Sequence, residues 1–118
     1  MRRITHKEEE ILSYFWSKGP LFVRELLELQ HEPKPHYNTL STIVRTLEDK
    51  GYIGYKTYGN THQYYALVSE YDYRNASLSH VVDKYFDSSY KRVVSTLIKE
   101  EKLSVDELQE LISQIKNQ

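Results

Sequence analysis

The segment between Pro35 and Gly51 constrains the fold most, because residue type defines both its ends and its faces. Pro33 and Pro35 lack an amide hydrogen and restrict the residues before them, so a helix can begin only near His36 or Tyr37. Gly51 is a typical residue just past a helix end, so we expect the helix to stop there. Its apolar side chains recur with the spacing of a single helical face. They are Leu40, Ile43, Val44 and Leu47.

The polar residues of this helix follow the same spacing two positions out of phase, which is about 200° around a helix of about 3.6 residues per turn. They are Asn38, Ser41, Thr42 and Arg45. An exposed helix face usually carries long charged side chains, whereas Asn, Ser and Thr are poor helix formers. The composition therefore favours a face that approaches a binding partner closely, with a merely solvated face as the alternative.

The elements around this helix come in an informative order. Thr5 and Glu8 have the spacing of a capping box, and they start a first helix that Gly19-Pro20 ends. A short second helix follows at residues 23–28, where Phe22 offers no side-chain cap. After Gly51 come two strand-like runs, residues 52–58 and 61–68, separated by the turn signal Gly59-Asn60. Three helices followed by a hairpin predict a winged helix-turn-helix, a mainly α fold with a small β-hairpin wing.

The remainder of the chain, residues 69–118, reads as helices only. Ser69 with Asp72, the pair Asp87-Ser88, and Ser104 with Glu107 are the start signals. About fifty residues bury their own apolar surface poorly, so we expect the apolar stripes of the last two helices to form a dimer interface; packing on the head is the alternative. The stripes comprise Tyr90, Val93, Val94, Leu97, Ile98, Leu108, Leu111, Ile112 and Ile115. The predicted domains are a winged-helix DNA-binding domain, 1–68, and a helical dimerisation region, 69–118.

In a winged helix the third helix enters the major groove of DNA, where side-chain type determines which contacts are available. Arg45 can contact guanine with two hydrogen bonds, and Asn38 can do the same with adenine. Thr39, Ser41 and Thr42 suit either base edges or phosphates.

The end of the third helix and the wing offer three further candidates. Lys56 and Lys50 are either phosphate contacts or ordinary solvated lysines. His62, which we place at the base of the wing, either donates to a phosphate or packs against Tyr37.

Composition excludes several classes of protein. The absence of cysteine excludes disulfides and thiolate metal sites. No apolar run approaches the about 20 residues of a membrane span, and charges follow the first residues at once, so we expect the cytoplasm.

The pair His6 and Glu10 is too small for a metal site, and neither metal nor cofactor is expected. The sequence shows no convergent set of acid and base side chains of the kind that enzymes use, so we do not expect an enzyme. The net charge of −1 permits DNA binding without arguing for it, so a winged-helix protein-interaction module remains the alternative function.

Several stretches together resemble the BlaI/MecI/CopY family of bacterial repressors. They are residues 9–16, Gly19-Pro20, 23–26, 36–52, 59–68 and 102–108. The resemblance implies a homodimer that represses transcription from a palindromic operator, with double-stranded DNA as its partner. It also implies a membrane-bound sensor-protease that relieves repression by cutting the C-terminal region. The chain departs from the family where Phe22 replaces a capping threonine and where Thr96-Leu97 aligns with the scissile Asn-Phe pair.

Overall fold

The computed structural model describes residues 2–117 of the chain, which contain six helices and three strands. In order they are α1 (His6–Lys18), β1 (Leu21–Phe22), α2 (Val23–Glu28), α3 (Tyr37–Asp49), β2 (Ile53–Tyr58), β3 (Thr61–Ala66), α4 (Glu70–Tyr85), α5 (Tyr90–Lys99) and α6 (Val105–Lys116). They fall into two compact units, the first ending at Tyr73 and the second beginning at Arg74. The predicted fold class, a winged-helix head followed by a helical C-terminal part, is confirmed. None of the helices within residues 2–117 has the length and apolar character needed to cross a membrane.

The helix ends in the first unit lie where the sequence predicts them. The Thr5 hydroxyl accepts from the Glu8 amide at 3.1 Å, and a Glu8 carboxylate oxygen accepts from the Thr5 amide at 2.7 Å, which completes the capping box of α1. Helix α3 begins after His36 and ends before Gly51, whose φ of 85° is easily reached only without a β-carbon. The two prolines and this glycine thus define the length of α3.

The core of the first unit lies between α1, α2, α3 and the sheet. Its buried apolar side chains include Ile11, Leu12, Phe15, Leu26, Leu40, Val44, Leu47, Ile53 and Tyr64. Three of the four apolar positions predicted for α3 are buried, and Ile43 is partly buried against the same cluster. Because one face of α3 is anchored in this way, its opposite face points out of the unit.

The sheet contains a strand that the sequence did not reveal. Strand β1 pairs antiparallel with β3, with Leu21 opposite Tyr64 and Phe22 opposite Gln63, which gives the order β1-β3-β2. A strand of two residues is too short to show the alternation by which strands are recognised. Phe22 makes no side-chain cap for α2, as expected, but its amide donates to Glu25 at 2.9 Å.

The second unit contains most of α4 together with α5 and α6. The helix start predicted at Asp87-Ser88 was wrong, because the N-cap of α5 is the next residue. Asp87 and Ser88 follow the end of α4 and adopt positive φ, 51° and 62°. An N-cap residue needs extended backbone, so Ser89 takes this role and accepts from the Arg92 amide. The capping box of Ser104 with Glu107 forms as predicted.

Candidate nucleic-acid interface

The polar face of α3 is open to solvent. Asn38, Thr39, Thr42 and Arg45 are exposed, and Ser41 is partly exposed. Since Leu40, Val44 and Leu47 are completely buried on the other side, α3 cannot rotate about its axis without exposing the core. The five predicted DNA-contacting residues of α3 therefore lie on one continuous, outward-facing surface.

Two threonine hydroxyls on this surface already donate within the helix. Thr42 donates to the backbone carbonyl of Asn38 and Thr46 to that of Thr42, both at 2.9 Å. Each hydroxyl keeps lone pairs and each side chain keeps a methyl group for a partner. Thr42 is thus presented as a hydrogen-bond acceptor with an apolar methyl.

The two predicted wing contacts lie on opposite faces of the sheet. In the register of β2 with β3, Lys56 pairs with Gln63, and Thr57 pairs with His62. Because successive side chains of a strand alternate between faces, His62 shares the face of the buried Tyr64, and Lys56 lies on the other one. Lys56 is fully exposed there. The structure therefore does not bring these two candidates together.

His62 stacks on Tyr55 rather than on Tyr37, the ring suggested by the sequence. The ring centroids of His62 and Tyr55 are 4.1 Å apart and their planes are inclined by only 7°. The residue lies one pair from the turn at Gly59-Asn60, so its predicted position at the wing base was also wrong. The register determined by this turn makes Tyr55 and His62 diagonal neighbours, a signal that sequence analysis did not use.

The pKa of Tyr64, on strand β3, is affected by charged residues of α3. Burial raises the pKa of its phenol, and the nearby Glu48 carboxylate raises it further. The positive charge of Arg45 acts in the opposite direction and lowers this pKa. The side chain of Arg45 itself stays exposed.

Lys50 is not an ordinary solvated lysine, because its ammonium group is paired with a carboxylate of the first helix. Its ammonium group lies 2.8 Å and 3.2 Å from the two carboxylate oxygens of Glu8, and the two side chains are only 15% and 7% exposed. Burial tends to raise the pKa of Glu8, but the hydrogen bonds from Lys50 and Thr5 and the charge of Lys50 outweigh it and lower that pKa. The sequence predicted the capping role of Glu8 but not this pairing, because residues 42 positions apart carry no local signal.

The residues predicted for dimerisation lie in the second unit, and none of them is buried within the chain. Tyr90, Leu97, Leu111, Ile112 and Ile115 are exposed, Ile115 to 68%, and Val93, Val94, Ile98 and Leu108 are partly exposed. Among the described residues of this unit only Val82 is buried. Helices α5 and α6 thus keep their apolar stripes available for a partner.

Comparison with known proteins identifies the family. The sequence model of the penicillinase repressors matches residues 4–117, nearly the whole chain. The chain belongs to the penicillinase repressor family. This penicillinase repressor homologue is therefore a transcriptional repressor, and the family is one of repressors rather than enzymes. The resemblance seen in the sequence is confirmed.

Curated relatives agree with the family match. This family member is 28% identical over 111 residues to the methicillin resistance regulatory protein MecI of Mammaliicoccus sciuri, covering 92% of the chain and 89% of the relative. Identity to the MecI proteins of Staphylococcus aureus strain N315 and Staphylococcus epidermidis is also 28%, over 109 residues, with the same coverage. The similarity thus spans both compact units.

Proposed function

We propose that this repressor binds double-stranded operator DNA through α3 and acts as a homodimer on a two-fold symmetric site. The observation that supports this most directly is the exposed face of α3, where short polar side chains surround one arginine. A major groove about 12 Å wide admits a helix whose side chains are short. Asn38 and Arg45 would contact bases, while Thr39, Ser41 and Thr42 would contact bases or phosphates, and Lys56 and His62 would contact the backbone from the wing.

The proposed dimer explains why α5 and α6 leave their apolar stripes uncovered. Burying apolar surface is worth about 25 cal/mol per Å², so nine partly or fully exposed apolar side chains on two helices favour association. A second copy of the chain presents the same stripes, and a two-fold dimer matches the symmetry of a palindromic operator. The unit from Arg74 onward would then serve as the dimerisation region.

We further propose that proteolysis of the C-terminal region relieves repression. Thr96 and Leu97 lie inside α5, with Leu97 38% exposed. A cut between them would separate Val93 and Val94 from the apolar residues of α6, so it would divide the proposed interface. A membrane-bound sensor-protease is the enzyme class that the family resemblance implies, and the repressor itself would act on DNA in the cytoplasm.

The proposal is tested by selecting duplexes from a random pool with the full chain and measuring binding by gel shift at several salt concentrations. We expect one enriched sequence with inverted repeats and an affinity that falls linearly with salt on logarithmic axes, because bound cations are released from the phosphates. A folded chain that enriches no duplex would contradict the proposal and favour a winged-helix module for protein contacts.

A further inference from the structure

A polar joint connects the C-terminal end of α3 with the N-terminal end of α1. Glu8 occupies the third position of α1, and Lys50 is the C-cap residue of α3. Next to them, the Tyr52 hydroxyl donates to the backbone carbonyl of Arg2, and the Tyr52 amide donates to the carbonyl of Leu47 at 3.0 Å. Tyr52 itself is buried. The joint therefore lies at the end of the helix that we assign to DNA.

The central contact of this joint differs from the other ion pair on α1. Glu8 and Lys50 join two helices at 2.8 Å with both side chains largely buried, whereas Lys7 and Glu10 lie on one helix, 3.7 Å apart and 51% and 45% exposed. Exposed pairs of the second kind contribute little, because water screens them. A buried pair is costly to break, since the remaining charge is left without a partner. Lys50 also uses its charge within the protein, which leaves it poorly placed to neutralise a phosphate.

We infer that Glu8 and Lys50 are positioning residues, which hold α3 at the angle to α1 at which its polar face reads bases. The inference rests on the proposed function. Hydrophobic contacts of Leu40, Val44 and Leu47 fix which face of α3 is buried, but such contacts are non-directional and allow a helix to pivot. A hydrogen-bonded ion pair at one end is directional and limits this pivot. Its loss would therefore weaken specific binding more than non-specific binding.

The experiment measures the affinity of full-length variants for the duplex that the wild type selects and for an unrelated duplex, at several salt concentrations. Glu8→Gln and Lys50→Met remove one charge each, and Lys50→Arg keeps it. Glu10→Gln and Lys7→Met are the matched controls for an exposed pair on the same helix. Circular dichroism at the assay temperature verifies that each variant is folded.

We expect Glu8→Gln and Lys50→Met each to lower affinity for the selected duplex about 10-fold, within the range of couplings between residues in contact. The double variant should lose no more than either single variant, because both remove the same contact. For Glu8→Gln and Lys50→Met, the affinity for the unrelated duplex and the salt slope should stay at the wild-type values. Both control variants should bind the selected duplex as tightly as the wild type, and Lys50→Arg should retain most of that affinity.

Two results would overturn the inference while leaving the proposed function intact. In one, Lys50→Met alone weakens binding to both duplexes and reduces the salt slope by about 1, which identifies a direct phosphate contact. In the other, Glu8→Gln and Lys50→Met bind the selected duplex as tightly as the wild type. If the wild type selects no duplex, the proposed function fails, and this inference fails with it.

Discussion

At the residue scale, hydrogen bonds inside α3 determine what its surface would offer to DNA under the proposed function. The Thr42 hydroxyl proton is used on the Asn38 carbonyl, so an approaching base meets an acceptor oxygen and a methyl group. Such a side chain suits the amino group of adenine or cytosine, or the methyl group of thymine. Arg45, in contrast, keeps an exposed guanidinium whose donors suit guanine. These two neighbours on one face would thus read different features of the groove.

Arg45→Ala should weaken binding to the selected duplex by about 1–3 kcal/mol, because a two-hydrogen-bond contact with guanine is lost. Binding to base-pair variants of this duplex, measured by titration, should show relaxed preference at one position in each half-site. Lys18→Ala, which removes a positive charge at the exposed end of α1, serves as the control. Unchanged affinity and unchanged preference for Arg45→Ala would remove the base-reading role.

Glu8 should make the first unit sensitive to acid. Its pKa is lowered in the folded chain, so its contribution to stability is complete above the unfolded value of about 4.3 and is lost as pH falls through the lower folded value. Glu8→Gln should cost about 1.5–3 kcal/mol in urea unfolding at pH 7, the range for hydrogen bonds to charged groups. The difference from wild type should shrink below about pH 4. A difference independent of pH would show that the charge of Glu8 is not what Lys50 recognises.

At the scale of elements, the wing and the C-terminal helices differ in how far other parts of the chain pack against them. The wing is a three-stranded sheet because β1 adds to the predicted hairpin, and the pairs of Tyr55 with His62 and Phe22 with Tyr58 brace its two faces. Helices α5 and α6 are well capped, but no residue of either is buried. Their helical form is therefore encoded locally, whereas the proposed dimer would supply their burial.

Val94→Glu should convert the dimer into monomers, because a charge within an apolar interface is desolvated without a partner. Sedimentation velocity at micromolar concentration measures this change, and operator affinity should fall with it. Lys99→Glu, on the opposite side of α5, introduces the same residue outside the stripe and should leave the dimer intact. A stable dimer in the Val94→Glu variant would mean that the interface lies elsewhere.

At the scale of the whole molecule, the proposed function requires two copies of α3 to reach one duplex together. Linking two binding events makes the second one intramolecular, which raises overall affinity by about 10²–10⁴-fold when the geometry allows both. The two-fold symmetry of a homodimer requires inverted half-sites at a spacing set by the helical repeat of DNA. Under the proposed function, operator geometry is therefore a property of the dimer rather than of α3 alone.

Inserting five base pairs at the centre of the selected duplex should lower wild-type affinity about 100-fold or more, because half a turn puts the half-sites on opposite sides. Substituting five central base pairs without changing the length is the control and should have little effect. The Val94→Glu variant should be indifferent to the insertion. Equal wild-type binding with and without it would contradict a dimer that spans both half-sites.

The sequence by itself determined the parts of this repressor that local chemistry controls. The prolines and Gly51 bound α3, the capping boxes start α1 and α6, and the apolar spacing of Leu40 with Val44 separates a buried face from a polar one. Each of these features depends on residues a few positions apart, where propensity and hydrogen-bonding distance are already defined. The candidate DNA-contacting residues of α3 could be named for the same reason.

Tertiary structure alone decided the contacts between distant residues. Lys50 looked like an exposed lysine until folding brought Glu8 to it, and β1 exists only because β3 offers it a free edge. The partner of His62 depends on strand register. Ser89 replaces Asp87-Ser88 as a cap because both of these residues, which follow α4, adopt positive φ. These outcomes depend on which residues far apart in the sequence are packed together. Burial, ion pairing and strand register are therefore set by the tertiary structure rather than by any single segment.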